Sequence, residues 1–234
     1  MPVTFLKKIQ NAKDLVQEYL NRYPRNGIAL SFGKDSMVLT HLAIQVKPDV
    51  MAFSVLSDTE FPETLALRDK VVQDWKLNYK EYVFHNDPAL GTEHCCREAK
   101  VGKFKEAVAN LDCWFSAIRR DEGFTRTDFQ YVEEKDGLVK INPLLDFTEK
   151  DIWHYTAAFG VPASSLYGMG FRSLSCRTCS AKEQDENEPE RAGRWVGTSN
   201  EGGECGIHTQ SLRESSRAVQ APQTPHEEPK VLKE

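Results

Sequence analysis

Short apolar runs alternate with segments of helical period along most of this chain, and that alternation constrains the fold more than any other feature. Apolar positions at helical spacing (Phe5, Ile9, Ala12, Leu15, Val16, Tyr19, Leu20) predict a helix over 4–22. Apolar runs at 27–33, 49–56, 79–84, 113–118 and 138–145 predict five strands. Between and after them, helices are expected at 36–46, 62–75, 97–111 and 148–159. Asp35-Ser36 is the expected cap of the first of these, Pro62 with Glu63 opens the second, and Asp146 or Thr148 caps the last. Strands that alternate with helices build a parallel sheet covered on both faces. Uniformly apolar strands agree with burial on both sides. The fold class is therefore α/β: a Rossmann-like, twisted parallel sheet with helices on both faces.

A chain of 234 residues, 40% hydrophobic and 28% charged, is enough for one large domain with an ordinary core. The net charge of −5 gives no general attraction to nucleic acid or to anionic membranes, so an anionic ligand needs a local basic patch. No apolar run approaches the roughly 20 residues that span a bilayer. The N-terminus lacks a signal-peptide pattern, and a cytoplasmic location is expected. Thiols stay reduced there, so the cysteines are better read as metal ligands or nucleophiles than as disulfides.

The turn after the first strand reads Ser31-Phe32-Gly33-Lys34-Asp35-Ser36. Its glycine lets backbone amides turn toward a ligand, and the following helix offers free N–H groups and a positive dipole. Lys34 and the two serine hydroxyls are candidates for phosphate oxygens. Ligands of open α/β sheets bind at the carboxyl ends of strands, where this loop lies. The loop resembles that of the PP-loop family, which binds the pyrophosphate of ATP or the phosphosulfate of adenylyl sulfate. Ser57-Asp58-Thr59-Glu60-Phe61-Pro62-Glu63-Thr64, at the end of the second strand, resembles a second segment of that family and places Asp58 and Thr59 beside the loop.

Six cysteines complete the pattern. Cys95 and Cys96 are adjacent, Cys176 and Cys179 form a Cys-x-x-Cys pair, Cys113 sits in an apolar run and reads as core, and Cys205 stands in a polar, glycine-rich stretch suited to a nucleophile. The two pairs can supply four thiolates to an iron–sulfur centre or to zinc, or be unrelated thiols. Adjacent cysteines suit a [4Fe-4S] cluster, whose irons lie close together, better than a zinc knuckle.

Cys-Cys-Arg-Glu-Ala-Lys-Val (95–101), Ile-Arg-Arg-Asp (118–121), 140–153, Glu-Arg-Ala-Gly-Arg-Trp (190–195) and Glu-Cys-Gly-Ile-His (204–208), taken in order, resemble the assimilatory sulfonucleotide reductases of the PP-loop superfamily, the iron–sulfur type that reduces adenylyl sulfate. The resemblance runs from about Gly27 to His208. It implies that Cys95, Cys96, Cys176 and Cys179 hold a [4Fe-4S] cluster, with Lys100 between cluster and substrate. Arg191 and Arg194 would hold the phosphate and sulfate oxygens, and Arg119 and Arg120 would shape the pocket. Ser31, Gly33, Lys34, Asp35 and Ser36 would line the phosphosulfate loop. Cys205 would be the nucleophile, assisted by His208, and thioredoxin or glutaredoxin the reductant in assimilatory sulfate reduction. The implied organisation is a nucleotide-binding and cluster domain (1–180), a mobile catalytic segment (181–210) hinged at Gly202-Gly203, and a disordered tail (211–234). A homo-oligomer is compatible with this. Three other readings stay open: the 3′-phosphorylated sulfonucleotide as substrate; a PP-loop ATP pyrophosphatase or ATP sulfurylase-like enzyme of sulfur incorporation, including DNA phosphorothioation, whose loops usually carry the Gly-Lys-Asp-Ser form; and a nucleotide-binding iron–sulfur sensor.

Overall fold

A computed structural model describes residues 3–86, 95–182 and 187–213. Six strands form one sheet in the order β3-β2-β1-β4-β6-β5. They are β1 (Asn26–Ala29), β2 (Met51–Ser57), β3 (Asn78–Phe84), β4 (Cys113–Phe115), β5 (Val132–Lys135) and β6 (Leu138–Ile141). Strands β1 to β4 and β6 run parallel, with Ile28 opposite both Ala52 and Phe115. The strand order reverses at β1, so the loops after β1 and β4 open into one crevice, where open α/β sheets bind their ligands.

The helices follow from their apolar faces. In α1 (Phe5–Arg22), Ile9, Ala12, Leu15, Val16, Tyr19 and Leu20 are all buried. Thr4 caps it through its hydroxyl. Helix α1 packs with α2 (Lys34–Val46) and α5 (Glu149–Phe159) on one face of the sheet, around Val38, Leu39, Leu42, Ile152 and Tyr155. Helix α4 (Val101–Val108) covers the other face, where Phe104 meets Phe53 and Trp114. Helix α3 (Pro62–Asp74) begins at proline, as expected. Thr148 is the cap of α5, in a reciprocal box with Asp151. Cys113 is fully buried in the core.

Four expectations are corrected. The sheet is not wholly parallel: β5 pairs antiparallel with β6. Their link is Asp136-Gly137, both at positive φ, a hairpin turn whose Asp-Gly signal stands in the sequence. Helix α2 starts at Lys34 with Gly33 as its N-cap, so Asp35 and Ser36 lie inside the first turn. The helix expected over 97–111 opens as a π-helical turn, Cys96–Lys100, before α4, a distortion often found at functional sites. The apolar runs overstate strand length: β1 ends at Ala29 and β4 at Phe115, and the remaining apolar residues form the crevice loops. Residues 214–234, most of the expected tail, lie outside the described residues. No described helix is long and apolar enough to cross a membrane.

Candidate active site

The loop after β1 turns sharply because Phe32, itself buried, takes a left-handed conformation (φ 60°). Such a conformation is costly for a residue with a Cβ and is held by its surroundings. The Ser36 hydroxyl accepts the Ser31 amide (3.2 Å), donates to the Gly33 carbonyl (2.9 Å) and lies 3.1 Å from the Ser31 hydroxyl. The first free amide of α2, at Lys34, donates to the Tyr167 hydroxyl at 2.7 Å.

Lys34, which lines the crevice, is turned to an acidic partner. Its ammonium is buried, donates to the Arg172 carbonyl (2.7 Å) and Glu190 (2.5 Å), and lies over the Tyr167 ring. Burial alone would lower its pKa, but Asp35 and Glu190 outweigh burial and hold it above the usual lysine range. Arg119, fully buried, sends Nε to Asp35 (2.6 Å) and Nη2 to both Glu190 oxygens (2.7 and 2.6 Å). Burial and the Asp35 carboxylate push Glu190 up to about 7, against the pull of Lys34 and Arg119. Arg120 is turned away from this crevice: it pairs with Asp146 and the Phe129 carbonyl.

The four paired cysteines are buried and form no disulfide. Cys96 Sγ lies 3.8 Å from Cys179 Sγ, and Cys176 Sγ 3.4 Å from the Thr178 hydroxyl. Hydrogen bonding from Cys179, helped by Lys100, draws the Cys96 thiol down to about 6 and the Cys176 thiol to about 5, while Cys179 is pushed up. This donor set fits a group bound by thiolates. A single tetrahedral zinc, with Zn–S about 2.3 Å, gathers its sulfurs to within roughly 4 Å of each other. Among the described residues no three cysteine sulfurs lie within 4.8 Å of one another.

Asp58 and Thr59 support the cysteines rather than line the crevice. Asp58 accepts the Asn86 amide (2.9 Å). The Asn86 side chain bridges the Thr59 and Thr178 hydroxyls (2.9 and 2.8 Å), and the Arg177 amide donates to the Thr59 carbonyl (3.1 Å). The end of β2 is thereby tied to the Cys176–Cys179 turn.

Lys100, Arg191, Arg194, Cys205 and His208 line one cavity of about 170 Å³ together with Ser31, Gly33, Lys34, Asp35 and Ser36. Lys100 Nζ reaches the Ser175 hydroxyl at 3.4 Å. Burial works against its charge, but the Cys205 and Cys96 sulfurs outweigh burial and raise its pKa. Arg194 donates to the Cys179 and Leu174 carbonyls (3.2 and 3.3 Å) and stacks over Trp195. Arg191 donates to the Gly203 carbonyl (2.5 Å), and its Nε makes no hydrogen bond. Burial, with Arg126 beside it, lowers Arg191 to about 10.

Cys205 is 8% exposed and caps the four-residue helix α6 (Gly206–Thr209). His208 stacks on Trp114. Burial and the charges of Lys140, Arg126, Arg191 and Lys100 keep its pKa well below the usual range, so it is neutral near pH 7. The described part of 181–210 is docked, not solvated: Glu190, Arg191, Arg194 and Trp195 are buried, and the Ala181 amide bonds the Gly193 carbonyl (2.8 Å). Its polar sequence reflects ion pairs made inward.

Sequence reasoning missed the residues that hold this segment. Glu204, next to Cys205, accepts Arg126 Nε at 2.6 Å and Nη2 at 3.1 Å, and Arg126 also pairs with Glu122. Glu190 and Glu204 both sit inside motifs quoted for their neighbours, and that was their only signal. Tyr167 gave none.

The phosphoadenosine phosphosulfate reductase domain model matches residues 25–182. The adenosine 5′-phosphosulfate reductase of Halalkalibacterium halodurans is 33% identical over 199 residues, covering 77% of this chain and 83% of that one. The phosphoadenosine 5′-phosphosulfate reductase of Gloeobacter violaceus is 32% identical over 202 residues, with coverage of 77% and 81%. Among solved structures, the phosphate complex of phosphoadenylyl-sulfate reductase from Candida auris shares the fold at a TM-score of 0.63 and 17% identity, covering 71% of this chain and 88% of that one. Candida glabrata FMN adenylyltransferase, in complex with FAD and inorganic pyrophosphate, shares it at 0.62 and 16%, covering 79% and 69%.

Proposed function

The chain belongs to the phosphoadenosine phosphosulfate reductase family, and from that premise we propose that it reduces adenylyl sulfate to sulfite and AMP. The observation that carries this is one cavity shared by the phosphate loop (Ser31–Ser36), three cationic side chains (Lys100, Arg191, Arg194) and a thiol at Cys205. A protein of net charge −5 has gathered its cations where an anionic nucleotide must sit.

The chemistry follows from those groups. The Cys205 thiolate attacks the sulfate sulfur, the bond from sulfur to the phosphate oxygen breaks, and AMP leaves as an anion held by the phosphate loop and arginines. An S-sulfocysteine stays on Cys205. A protein dithiol such as thioredoxin or glutaredoxin then attacks Cys205 Sγ. Sulfite departs with the bonding pair, and the second thiol of the dithiol closes its own disulfide and frees Cys205. Cys205 is buried in the docked arrangement, so this second half-reaction needs the segment 181–210 to swing outward. Gly202, at φ +66°, is a suitable hinge. Neutral His208 is suited to a hydrogen bond at the site rather than to a cationic role. Cys95, Cys96, Cys176 and Cys179 would hold a [4Fe-4S] cluster, which when bound would tune the charge around Lys100 and the sulfate.

Lys34 was the sequence feature that favoured an ATP-cleaving reading. Its ammonium is held by Glu190 and the Arg172 carbonyl, contacts that favour neither nucleotide, whereas Cys205 in the same cavity supports the sulfonucleotide. The test is sulfite release by anaerobically prepared protein with thioredoxin, using adenylyl sulfate, its 3′-phosphorylated form and ATP in parallel. Sulfite is expected from adenylyl sulfate in preference to the 3′-phosphorylated form. Pyrophosphate from ATP without sulfite from either sulfonucleotide would overturn the proposal.

A further inference from the structure

The crevice as described is too small for the ligand assigned to it. Sites for drug-sized ligands run to roughly 300–1,000 Å³, whereas this cavity measures about 170 Å³. Part of its wall must give way when nucleotide enters. The wall that comes from a separate, docked stretch of chain is 187–213, and its buried carboxylate anchor toward the phosphate loop is Glu190, which is 5% exposed.

Glu190 reaches across 156 residues to Lys34, at the phosphate loop, and across 71 to Arg119, on the loop after β4. Both cations donate to this one carboxylate, and Arg119 shares itself between Glu190 and Asp35. Arg119 still keeps a buried Nη1 that makes no hydrogen bond and stands 3.6 Å from Asp121. Pulling Glu190 away with nothing in its place would leave Arg119 with Asp35 at 2.6 Å and, among the described residues, Lys34 with no carboxylate nearer than Glu149 at 3.7 Å, a net loss for two buried cations. A phosphate group, with several acceptor oxygens and equal or greater charge, can take over both. Release at Glu190 is passed along the segment, because the next residue, Arg191, bonds the Gly203 carbonyl two positions before Cys205.

We propose that Glu190 is an internal anion latch: it occupies Lys34 and Arg119, keeps the Cys205 segment closed, and is displaced by the phosphate of the incoming nucleotide. This rests on the adenylyl-nucleotide reading of the site. Glu190 is a positioning residue, with no bond made or broken at it. The latch makes empty protein unreactive at Cys205 and couples the freedom of its segment to occupancy of the phosphate loop, so that Cys205 can move against the bound sulfate and, after transfer, outward to the dithiol. It also competes with the ligand, so removing it should tighten nucleotide binding.

The experiment uses the full chain, prepared anaerobically with its metal centre. It reads carboxamidomethylation of Cys205 by peptide mass, and AMP affinity by calorimetry. In the wild type, AMP is expected to quicken Cys205 modification several-fold. In Glu190→Gln, modification should be fast without AMP and unresponsive to it, and AMP should bind more tightly. A residue that merely braced the fold would weaken AMP binding when replaced. Slower modification with AMP in the wild type, or wild-type behaviour in Glu190→Gln, would overturn the latch. If Glu190→Gln does not fold, Lys34→Met and the wild-type response to AMP decide. Formation of the Cys205 adduct from adenylyl sulfate is scored separately. Adduct without the AMP response defeats the latch alone, and the AMP response without adduct defeats the reductase reading alone.

Discussion

Cys205 and the four paired cysteines share a chemistry but not a task, and substitution separates them. Cys205→Ser is expected to abolish sulfite release while leaving the visible absorption of the metal centre intact. Cys176→Ser should bleach that absorption; an unchanged spectrum would remove Cys176 from the ligand set. At His208 the burial that keeps the ring neutral has a thermodynamic signature. The unfolded chain takes up a proton near pH 6.5 and the folded one does so only well below. The histidine therefore costs the fold stability as pH falls through 6.5, and His208→Phe should flatten that part of the urea-midpoint profile. An identical slope in the variant would count against a neutral His208. These roles were readable to different degrees. A thiol's neighbours in sequence hint at its use, so Cys113 in its apolar run read as core. The partner of a charge is set by tertiary contact, and nothing near Lys34 in sequence announces Glu190.

Among elements, the turn from Pro189 to Trp195 carries Glu190, Arg191 and Arg194 into the crevice, and glycine is required within it. A Cβ built on Gly193 collides with the Ala181 carbonyl oxygen, a backbone atom that cannot swing aside. Gly193→Ala should therefore undock the segment, raise its protease sensitivity and lower kcat more than it lowers the unfolding midpoint; unchanged proteolysis would refute the packing described. The π-helical turn at Cys96–Lys100 is a second such device, re-aiming Lys100 relative to the cysteines. Sequence periodicity cannot anticipate it, because a single five-residue turn is too short to show a period of its own. A different limit explains the strand ends. An apolar run reports burial, and residues after Ala29 and Phe115 are buried as crevice loops rather than paired as strands. The hairpin of β5 and β6 was legible in Asp136-Gly137, but β5 is a polar edge strand (Val-Glu-Glu-Lys) and carries no apolar signal.

Over the whole molecule, the parallel sheet brings the loops after β1 and β4 together, and buried ion pairs tie a late segment across them. The run Lys34–Glu190–Arg119 and the run Glu122–Arg126–Glu204 meet where the Arg119 amide donates to Glu122 at 2.9 Å. Burial would raise the Glu122 pKa, but Arg126, Arg119 and Arg191 outweigh it and hold the group down to about 2. A depressed carboxylate stabilises the fold above its unfolded pKa near 4.5, and that stability is lost as pH falls toward 2. Glu122→Gln should be less stable than wild type at pH 7, with the gap closing through that window. A gap that does not change with pH would contradict the ion pairing. The central claim is that the phosphate loop, the cations and Cys205 act as one sulfonucleotide site. The most direct measurement is the intact mass of anaerobic protein incubated with adenylyl sulfate in the absence of any dithiol. The account predicts one added SO₃ unit per chain, mapped to Cys205 and absent from Cys205→Ser. No adduct, or an adduct on another cysteine, would contradict it.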